Sequence, residues 1–328
     1  MAQEKVGWER PIGRRLRLRD LHVFSMVVEC GSMAKAAAEL RVAQPTVSEV
    51  IANLENAYGV QLFDRSPRGV EPTVYGRALL KRSVAVFDEI KQSGRDIEFL
   101  TDPRVGELRI GCVESLSATI VPQLILRFSQ QYPGVIVHVD DLTAPATDFQ
   151  GLRDRKYDCI LVRLTSTPPP DEHLMDDLNA ETLFDDRLLV AAGANGRWAR
   201  RRKVDLAELV DEPWILPRPG TWNHVCLLQA FQERGLSLPK PALVSMSVTL
   251  RTRLIATGPY LTIFARSVMR LNADYYNIIS LPIDLPIQPW PVVVVTLKHR
   301  TLSPVVERFI ACSRDVSRAF VVNGHSRK

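Results

Sequence analysis

The stretch from residue 36 to residue 55 constrains the fold more than any other part of the chain. It reads AAAELRVAQPTVSEVIANLE, so a proline and short polar side chains stand where a helix has just stopped. A first helix from Leu18 is predicted to end at Gly31, because glycine readily takes the left-handed conformation of helix ends. Ser32 is predicted to cap a second, alanine-rich helix. Pro45 then fits the first turn of a third helix, where its missing N–H costs nothing.

Two short helices joined by a tight turn predict a helix-turn-helix, in which the start of the second helix points into the DNA major groove. Short polar side chains at such a start can reach base edges or phosphates, and its free N–H groups attract phosphate. The alternative is an ordinary capped helix in a bundle. The candidate DNA-binding residues are Ser32, Gln44, Pro45, Thr46, Ser48, Glu49, Arg65 and Arg68.

The segment that follows predicts a β-wing and a long helix. Residues 60–73 read VQLFDRSPRGVEPT, a short strand, a Pro/Gly turn and a return strand. The tip can place Arg65 and Arg68 on phosphates or in the minor groove. Thr73 then caps a long helix that runs to about Phe99 and carries an apolar stripe of Leu80, Val84, Phe87 and Ile90. The simplest partner for that stripe is the same helix of a second chain.

These motifs resemble the winged helix-turn-helix of the LysR-type transcriptional regulators. The A-A-x-x-L, Q-P-x-V-S, L-E, G-x-x-L-F-x-R and P-T-x-x-G elements all occur in order between residues 36 and 76. The resemblance implies a winged DNA-binding domain for a double-stranded operator, a dimerising linker helix and a C-terminal effector domain, usually assembled as a homotetramer. It also implies a small-molecule effector.

Glu49 departs from the pattern, because this family often carries a basic or amide side chain there. A carboxylate repels phosphate but can accept a hydrogen bond from the amino group of cytosine. Glu49 therefore either reads cytosine or turns away from the groove, and we slightly favour the second interpretation.

The remaining residues predict an α/β effector domain with two lobes, similar to periplasmic binding proteins. Strands alternate with helices from residue 107 onward, beginning with a strand at 107–112 and a single helix from Ser115 to about Gln131. This alternation indicates parallel sheets with helices on their faces. The predicted division is a basic tail at 1–17, a winged helix-turn-helix at 18–73, a linker helix at 74–101 and an effector domain at 106–328, with lobe I at 106–181 and 283–322 and lobe II at 182–282.

Candidate effector-binding residues follow from the rule that ligands bind at the carboxyl ends of strands, beside helix starts. The family resemblance points to the same loops. Hydroxyls at helix starts with one arginine would suit an acidic ligand, and Trp222 could stack on a ring. In the alternative the serines only cap helices, Arg163 pairs with a local carboxylate and Trp222 belongs to the core. The candidates are Ser115, Leu116, Ser117, Thr143, Arg163, Thr221, Trp222, Ser247 and Val248.

Tyr260 is a second departure from the family. The chain reads Gly258-Pro259-Tyr260 where a Gly-x-Gly is common, and the added ring is expected to narrow the cleft.

Two other classes of protein were weighed against a regulator. An enzyme is disfavoured because the chain contains no G-x-S-x-G, H-E-x-x-H, P-loop or G-x-G-x-x-G motif. A solute-binding transport protein is disfavoured by the DNA-binding module and by a start without a secretory apolar stretch. No apolar run is long enough to span a bilayer, and five scattered cysteines show no metal-ligand spacing. We therefore expect no cofactor, no metal, no membrane partner and a cytoplasmic location.

Overall fold

The computed structural model describes residues 16–66, 69–102, 104–142, 149–164 and 175–321. The chain divides into two compact units, residues 1–93 and 94–328. The predicted basic tail at 1–17 lies largely outside the described residues, as do Arg68 and Thr143. Within the described ranges, no helix is both long enough and apolar enough to cross a membrane.

The first unit is a winged helix-turn-helix, as predicted. Its elements are α1 (Leu18–Cys30), α2 (Met33–Glu39), α3 (Gln44–Tyr58), β1 (Phe63–Ser66), β2 (Gly69–Pro72) and the first part of α4 (Val74–Thr101). The small side chains of Ala36 and Ala37 are buried against Val47 and Ile51 of α3. β1 and β2 pair antiparallel as the wing.

Lobe I of the second unit is built on a five-stranded mixed sheet in the order β4-β3-β5-β12-β6. Its elements are β3 (Gly106–Cys112), α5 (Glu114–Ser117), α6 (Ile120–Gln131), β4 (Val135–Asp141), α7 (Gln150–Arg153), β5 (Cys159–Arg163), β6 (Leu178–Asp186), β12 (Trp290–Leu297) and α11 (Pro304–Val321). The single helix predicted from Ser115 to Gln131 is wrong. It is interrupted at Thr119, whose backbone is not helical (φ −132°, ψ −90°).

Lobe II contains a three-stranded antiparallel sheet, β10-β7-β11, and a parallel pair, β8-β9. Its elements are β7 (Leu188–Gly193), β8 (Trp214–Leu216), α8 (Trp222–Gln232), β9 (Pro241–Val244), α9 (Val248–Thr257), β10 (Thr262–Ala265), α10 (Arg266–Tyr276) and β11 (Ile278–Ser280). A parallel bridge from Trp214 to Leu261 links the two groups of strands.

The prediction of wholly parallel sheets is wrong in both lobes. β3, β4 and β5 are parallel, but β12 runs antiparallel to both β5 and β6. β12 enters the sheet of lobe I directly from lobe II, so no crossover helix sets its direction. A parallel pair needs a crossover connection between its strands, and β12 has none with β5 or β6.

The chain also passes between the lobes later than predicted. β6 belongs to the sheet of lobe I up to Asp186 and pairs along its length with β12, so the first passage lies at Arg187 instead of residue 182. The return strand begins at Trp290 instead of residue 283. The alternate residues Ile283, Leu285 and Ile287 pack against the core of lobe II, which keeps this segment in that lobe.

Four of the five cysteines are buried core residues, as expected. Burial raises the pKa of the Cys112 thiol to about 12 and that of Cys226 to about 11. Both thiols are therefore protonated near neutral pH, which makes them poor nucleophiles.

Candidate functional site

The start of α3 presents the predicted DNA-binding side chains to solvent. Gln44, Pro45, Thr46 and Glu49 are exposed at this helix start. Ser48 is half-buried, and its hydroxyl accepts a hydrogen bond from Gln44 Nε2 (3.0 Å) and contacts Met33 Sδ (3.5 Å). The structure therefore brings these candidates together on one helix end, with Ser48 orienting Gln44.

The other DNA-binding candidates have separate positions. Ser32 caps α2, and its hydroxyl accepts from Lys35 N (3.5 Å). Arg65 lies on β1 with about half of its side chain exposed, 3.6 Å from Glu55 Oε2. Glu49 makes no hydrogen bond or ion pair with the described residues, which leaves both interpretations of this side chain available.

Glu55 holds the wing onto α3, a role that the sequence analysis missed. Its carboxylate is buried, and Oε1 accepts hydrogen bonds from Leu62 N (2.8 Å) and Phe63 N (3.3 Å). A carboxylate at this depth satisfies backbone donors that would otherwise be buried without partners. In the sequence, only the L-E element of the motif pointed to a special role for Glu55.

Two glycines explain why the wing and α4 can approach their neighbours. A Cβ on Gly69 (φ +130°) would lie 2.5 Å from Gly31 O, and one on Gly76 would lie 2.2 Å from Leu62 O. Thr73 fixes the same corner, because its Oγ1 donates to Gln61 O (2.8 Å) and accepts from Gly76 N (3.1 Å). The P-T-x-x-G element is therefore a steric and hydrogen-bonding requirement.

Two of the predicted effector residues of lobe I differ in their surroundings: Arg163 contacts polar side chains, and Leu116 packs in the core. Arg163 sits at the end of β5, only 12% exposed, and donates to Ser115 Oγ (2.5 Å), Asp186 Oδ2 (3.2 Å) and Ser267 Oγ (3.2 Å). Leu116, the other candidate here, is fully buried in the core of lobe I. Its backbone N–H already donates to Val113 O (2.8 Å).

The ion pair of Arg163 with Asp186 lies within lobe I, and Ser267 of lobe II hydrogen-bonds to both of its members. Asp186 is the last residue of β6 and also accepts from Ser267 N (3.1 Å) and Ser267 Oγ (2.7 Å) at the start of α10. Burial lowers the pKa of Arg163, and the charge of Asp186 opposes that shift. The guanidinium therefore serves the frame of the domain, which is the alternative considered from the sequence.

The remaining candidates also have partners within the chain. Ser117 Oγ lies 2.8 Å from Asp141 Oδ1 and 2.9 Å from Glu114 O. Thr221 Oγ1 donates to Arg218 O (2.6 Å). The ring of Trp222 meets that of Trp290 with a centroid distance of 4.1 Å, so this side chain packs on the core of lobe II.

Glu114 connects the predicted helix starts of the two lobes, and the sequence analysis did not single out its side chain. Its Oε1 accepts from Ser247 Oγ (3.2 Å) and from Val248 N (2.9 Å). Ser247 in turn caps α9 by accepting from Leu250 N (3.4 Å). Ser247 and Val248 thus carry a carboxylate of the chain, and their contact with an effector stays a prediction.

A cavity of about 750 Å³ lies beside α10 and the return segment of lobe II. Arg187, Arg266 and Arg270 line it together with residues 280–285 of the return segment. Within the part of the chain that the structure describes, no group of three or more histidine, cysteine or acidic residues could hold a metal ion. The ring of Tyr260 packs against Gly258, where an added Cβ would come within 2.9 Å of it.

Comparison with known proteins places these features in one family. Residues 18–77 match the bacterial regulatory helix-turn-helix proteins of the lysR family, and residues 101–318 match the LysR substrate binding domain. The chain is 25% identical over 307 residues to the HTH-type transcriptional regulator GbpR of Azospirillum brasilense, covering 92% of this chain and 87% of that protein. It is also 25% identical over 290 residues to the uncharacterized regulator YdcI of Escherichia coli, covering 88% and 92%.

Solved structures share the fold at lower identity. The LysR family regulator CbnR is 24% identical, with a TM-score of 0.52 over 91% of this chain and 100% of that chain. A full-length OxyR from Pseudomonas aeruginosa is 20% identical, with a TM-score of 0.59 over 92% and 95%. The family matches span both the DNA-binding and the effector-binding parts. The chain belongs to the LysR family of DNA-binding transcriptional regulators, which carry a small-molecule effector-binding domain and are not enzymes.

Proposed function

We propose that this regulator acts as a cytoplasmic homotetramer and that the start of α3, together with the wing, reads its operator. The observation that carries the proposal is the exposed group of Gln44, Thr46 and Glu49 at a helix start. Their backbone and side chains can hydrogen-bond base edges and phosphates. Arg65 and Arg68 of the wing would add phosphate contacts.

The proposed division of the chain follows the elements. The DNA-binding domain comprises 18–73, the linker helix 74–101 and the effector domain 106–328. Lobe I then comprises 106–186 and 290–321, and lobe II comprises 188–289, which follows the sheets in which the strands pair. The linker helix carries exposed apolar residues that a second copy would cover.

Effector binding is proposed to change the angle between the lobes and so the position of the linker helices. The joints that such a motion would use are Arg187 and the segment before Trp290. A ligand can shift this equilibrium only by as much as its affinity differs between the two arrangements. We therefore expect the true effector to change operator affinity or DNA bending, and to bind with a reciprocal dependence on DNA.

The test is fluorescence anisotropy of the full chain on the intergenic DNA upstream of its own gene, over several salt concentrations and with competitor DNA. Binding that survives competition and weakens steeply with salt is expected of a protein making several phosphate contacts. Gln44→Ala and Thr46→Ala should each weaken specific binding by about 1–3 kcal/mol.

The matched control is Gln232→Ala, which removes the same amide from an exposed position in the effector domain. It should bind the operator as the wild type does. Equal affinity of Gln44→Ala, Thr46→Ala and the wild type for the operator would remove the start of α3 from the DNA interface.

A further inference from the structure

A carboxylate of lobe I occupies the start of a helix in lobe II. Glu114 follows β3 directly, and its Oε1 accepts from Ser247 Oγ (3.2 Å) and Val248 N (2.9 Å). These are the first groups of α9, a helix of ten residues. A helix start attracts negative charge through its free N–H groups and its dipole, so Glu114 satisfies the position that the anionic group of a ligand would take.

A buried cation makes this position rigid and positive. Arg251 is only 3% exposed, and its guanidinium donates to the carbonyls of Met246 (3.1 Å), Ser247 (3.3 Å) and Ile263 (2.8 Å). Burial lowers the pKa of Arg251 to about 10, and the charge of Glu114 opposes that shift. The guanidinium therefore stays charged at neutral pH and holds the loop in the geometry that receives Glu114.

Two more carboxylates use the other donors that would suit an acidic ligand. Asp186 accepts from Arg163 and Ser267, and Asp141 lies within hydrogen-bond distance of Ser117. An acidic effector entering here would have to compete with three carboxylates of the chain. Like charges repel one another more strongly where solvent is partly excluded.

The second carboxylate oxygen of Glu114 can still accept a hydrogen bond. Both of its hydrogen bonds use Oε1, and Oε2 makes none with the described residues. The residue as a whole is half-buried, so it is not closed off in the core. A carboxylate oxygen accepts from ammonium and hydroxyl groups, and its bonds to charged donors are the stronger ones.

We propose that Glu114 fills the anion position at the start of α9 with its own carboxylate, so that the cleft rejects acidic effectors there and selects a ligand that donates to Glu114, such as an amine or an alcohol. This inference rests on the proposed effector function of the cleft. It makes Glu114 a specificity-determining residue and a contact that links the lobes when no ligand is bound.

The test removes the carboxylate of Glu114 by mutation and supplies acetate in its place. Thermal unfolding of the full-chain Glu114→Ala variant is compared in sodium acetate and in sodium chloride at equal ionic strength. The melting temperature of the variant should fall by about 2–4 °C, and acetate should restore at least half of the loss. The wild type should show no preference for acetate.

Two further variants keep the result interpretable. Glu107→Ala removes a carboxylate from β3, the strand that precedes Glu114. Glu107 pairs with Arg109 and not with α9, so this variant should not respond to acetate. Glu114→Gln keeps an acceptor for Val248 N without the charge, so it should lose less stability and show no acetate response. If the alanine variant does not unfold cooperatively, Ser247→Ala in the wild type takes its place, and an unchanged melting temperature there would overturn the contact.

The class of ligand is tested by measuring the melting temperature with ethanolamine and with glycolate, two probes of similar size and opposite charge. Each probe is titrated to a large excess over the protein. Ethanolamine should raise the melting temperature of the wild type, glycolate should not, and Glu114→Ala should reverse this order. A wild type that responds more strongly to glycolate, or an alanine variant that gains no anion response, overturns the proposal. Operator binding measured on the same samples tests the regulator function separately. A wild type that does not bind its operator would contradict that function, whatever the result with acetate.

Discussion

Glu55 shows how one buried side chain can decide whether a wing forms. Its carboxylate joins the last turns of α3 to the backbone of Leu62 and Phe63. Glu55→Ala leaves two buried N–H groups without their acceptor, and each such loss costs about 1–3 kcal/mol. We expect the DNA-binding unit to lose about 2–4 kcal/mol of unfolding free energy, measured by urea denaturation.

The control for that experiment is Glu71→Ala, which removes an exposed carboxylate from β2 of the same wing. Its unfolding free energy should stay within about 0.5 kcal/mol of the wild type. Equal effects of the two substitutions would mean that the buried hydrogen bonds of Glu55 do not stabilise the wing.

Gly76 and Gly94 lie in the same helix and should respond in opposite directions to alanine. A Cβ on Gly76 would lie 2.2 Å from Leu62 O, whereas nothing lies within 4 Å of one on Gly94. Gly76→Ala should cost at least about 2 kcal/mol because the backbone has to move. Gly94→Ala should gain about 0.5–1 kcal/mol from helix propensity, and thermal melts of both variants decide the matter.

At the scale of elements, α4 carries the proposed assembly. Val86, Ile90 and Ile97 are 37%, 46% and 67% exposed, and their spacing places them on one side of the helix. Of the predicted stripe, Val84 is exposed like these residues, while Leu80 packs on the core of the DNA-binding unit and Phe87 meets the ring of His22 (6.0 Å). The free apolar face is therefore narrower near the start of the helix than the sequence indicated.

Ile90→Lys should weaken self-association, because it places a charge in the apolar seam between two copies of α4. We expect the dimer dissociation constant to rise at least about tenfold, which corresponds to about 1.4 kcal/mol, in sedimentation velocity. Glu98→Lys, which adds the same side chain about 100° around the helix from Ile97, should keep the assembly. Identical sedimentation of Ile90→Lys and the wild type would assign the interface to another element.

At the scale of the whole effector domain, the Arg163–Asp186 pair of lobe I is joined to lobe II through the hydrogen bonds of both residues with Ser267. Removing one partner of a buried pair leaves an uncompensated charge and costs about 3–5 kcal/mol. Asp186→Leu and Arg163→Leu should therefore each destabilise this domain by that amount, and the variant that combines them should cost less than the sum of the two single changes. Urea denaturation of the three variants completes the cycle. Additive effects would show that the pair does not act as a unit.

The sequence predicted the local elements well where neighbouring residues decide them. The Gly31 stop, the Pro45 start and the Thr73 cap all lie where the pattern indicated, because caps and turns depend on residues within one helical turn. The sequence failed at Thr119 and at the lobe boundaries. An apolar run looks the same whether a helix is interrupted or continuous, and strand pairing depends on distant partners.

The sequence by itself determined the family, the winged helix-turn-helix and the two-lobed α/β plan, since these follow from short motifs and from hydrophobic periodicity. Only the tertiary structure decided which groups the effector residues meet. Glu114 reaches Ser247 and Val248, Arg163 reaches Asp186 and Ser267, and Trp222 reaches Trp290. These partners are far apart along the chain, and the pairing of charges and donors across a cleft is fixed by folding and not by local pattern.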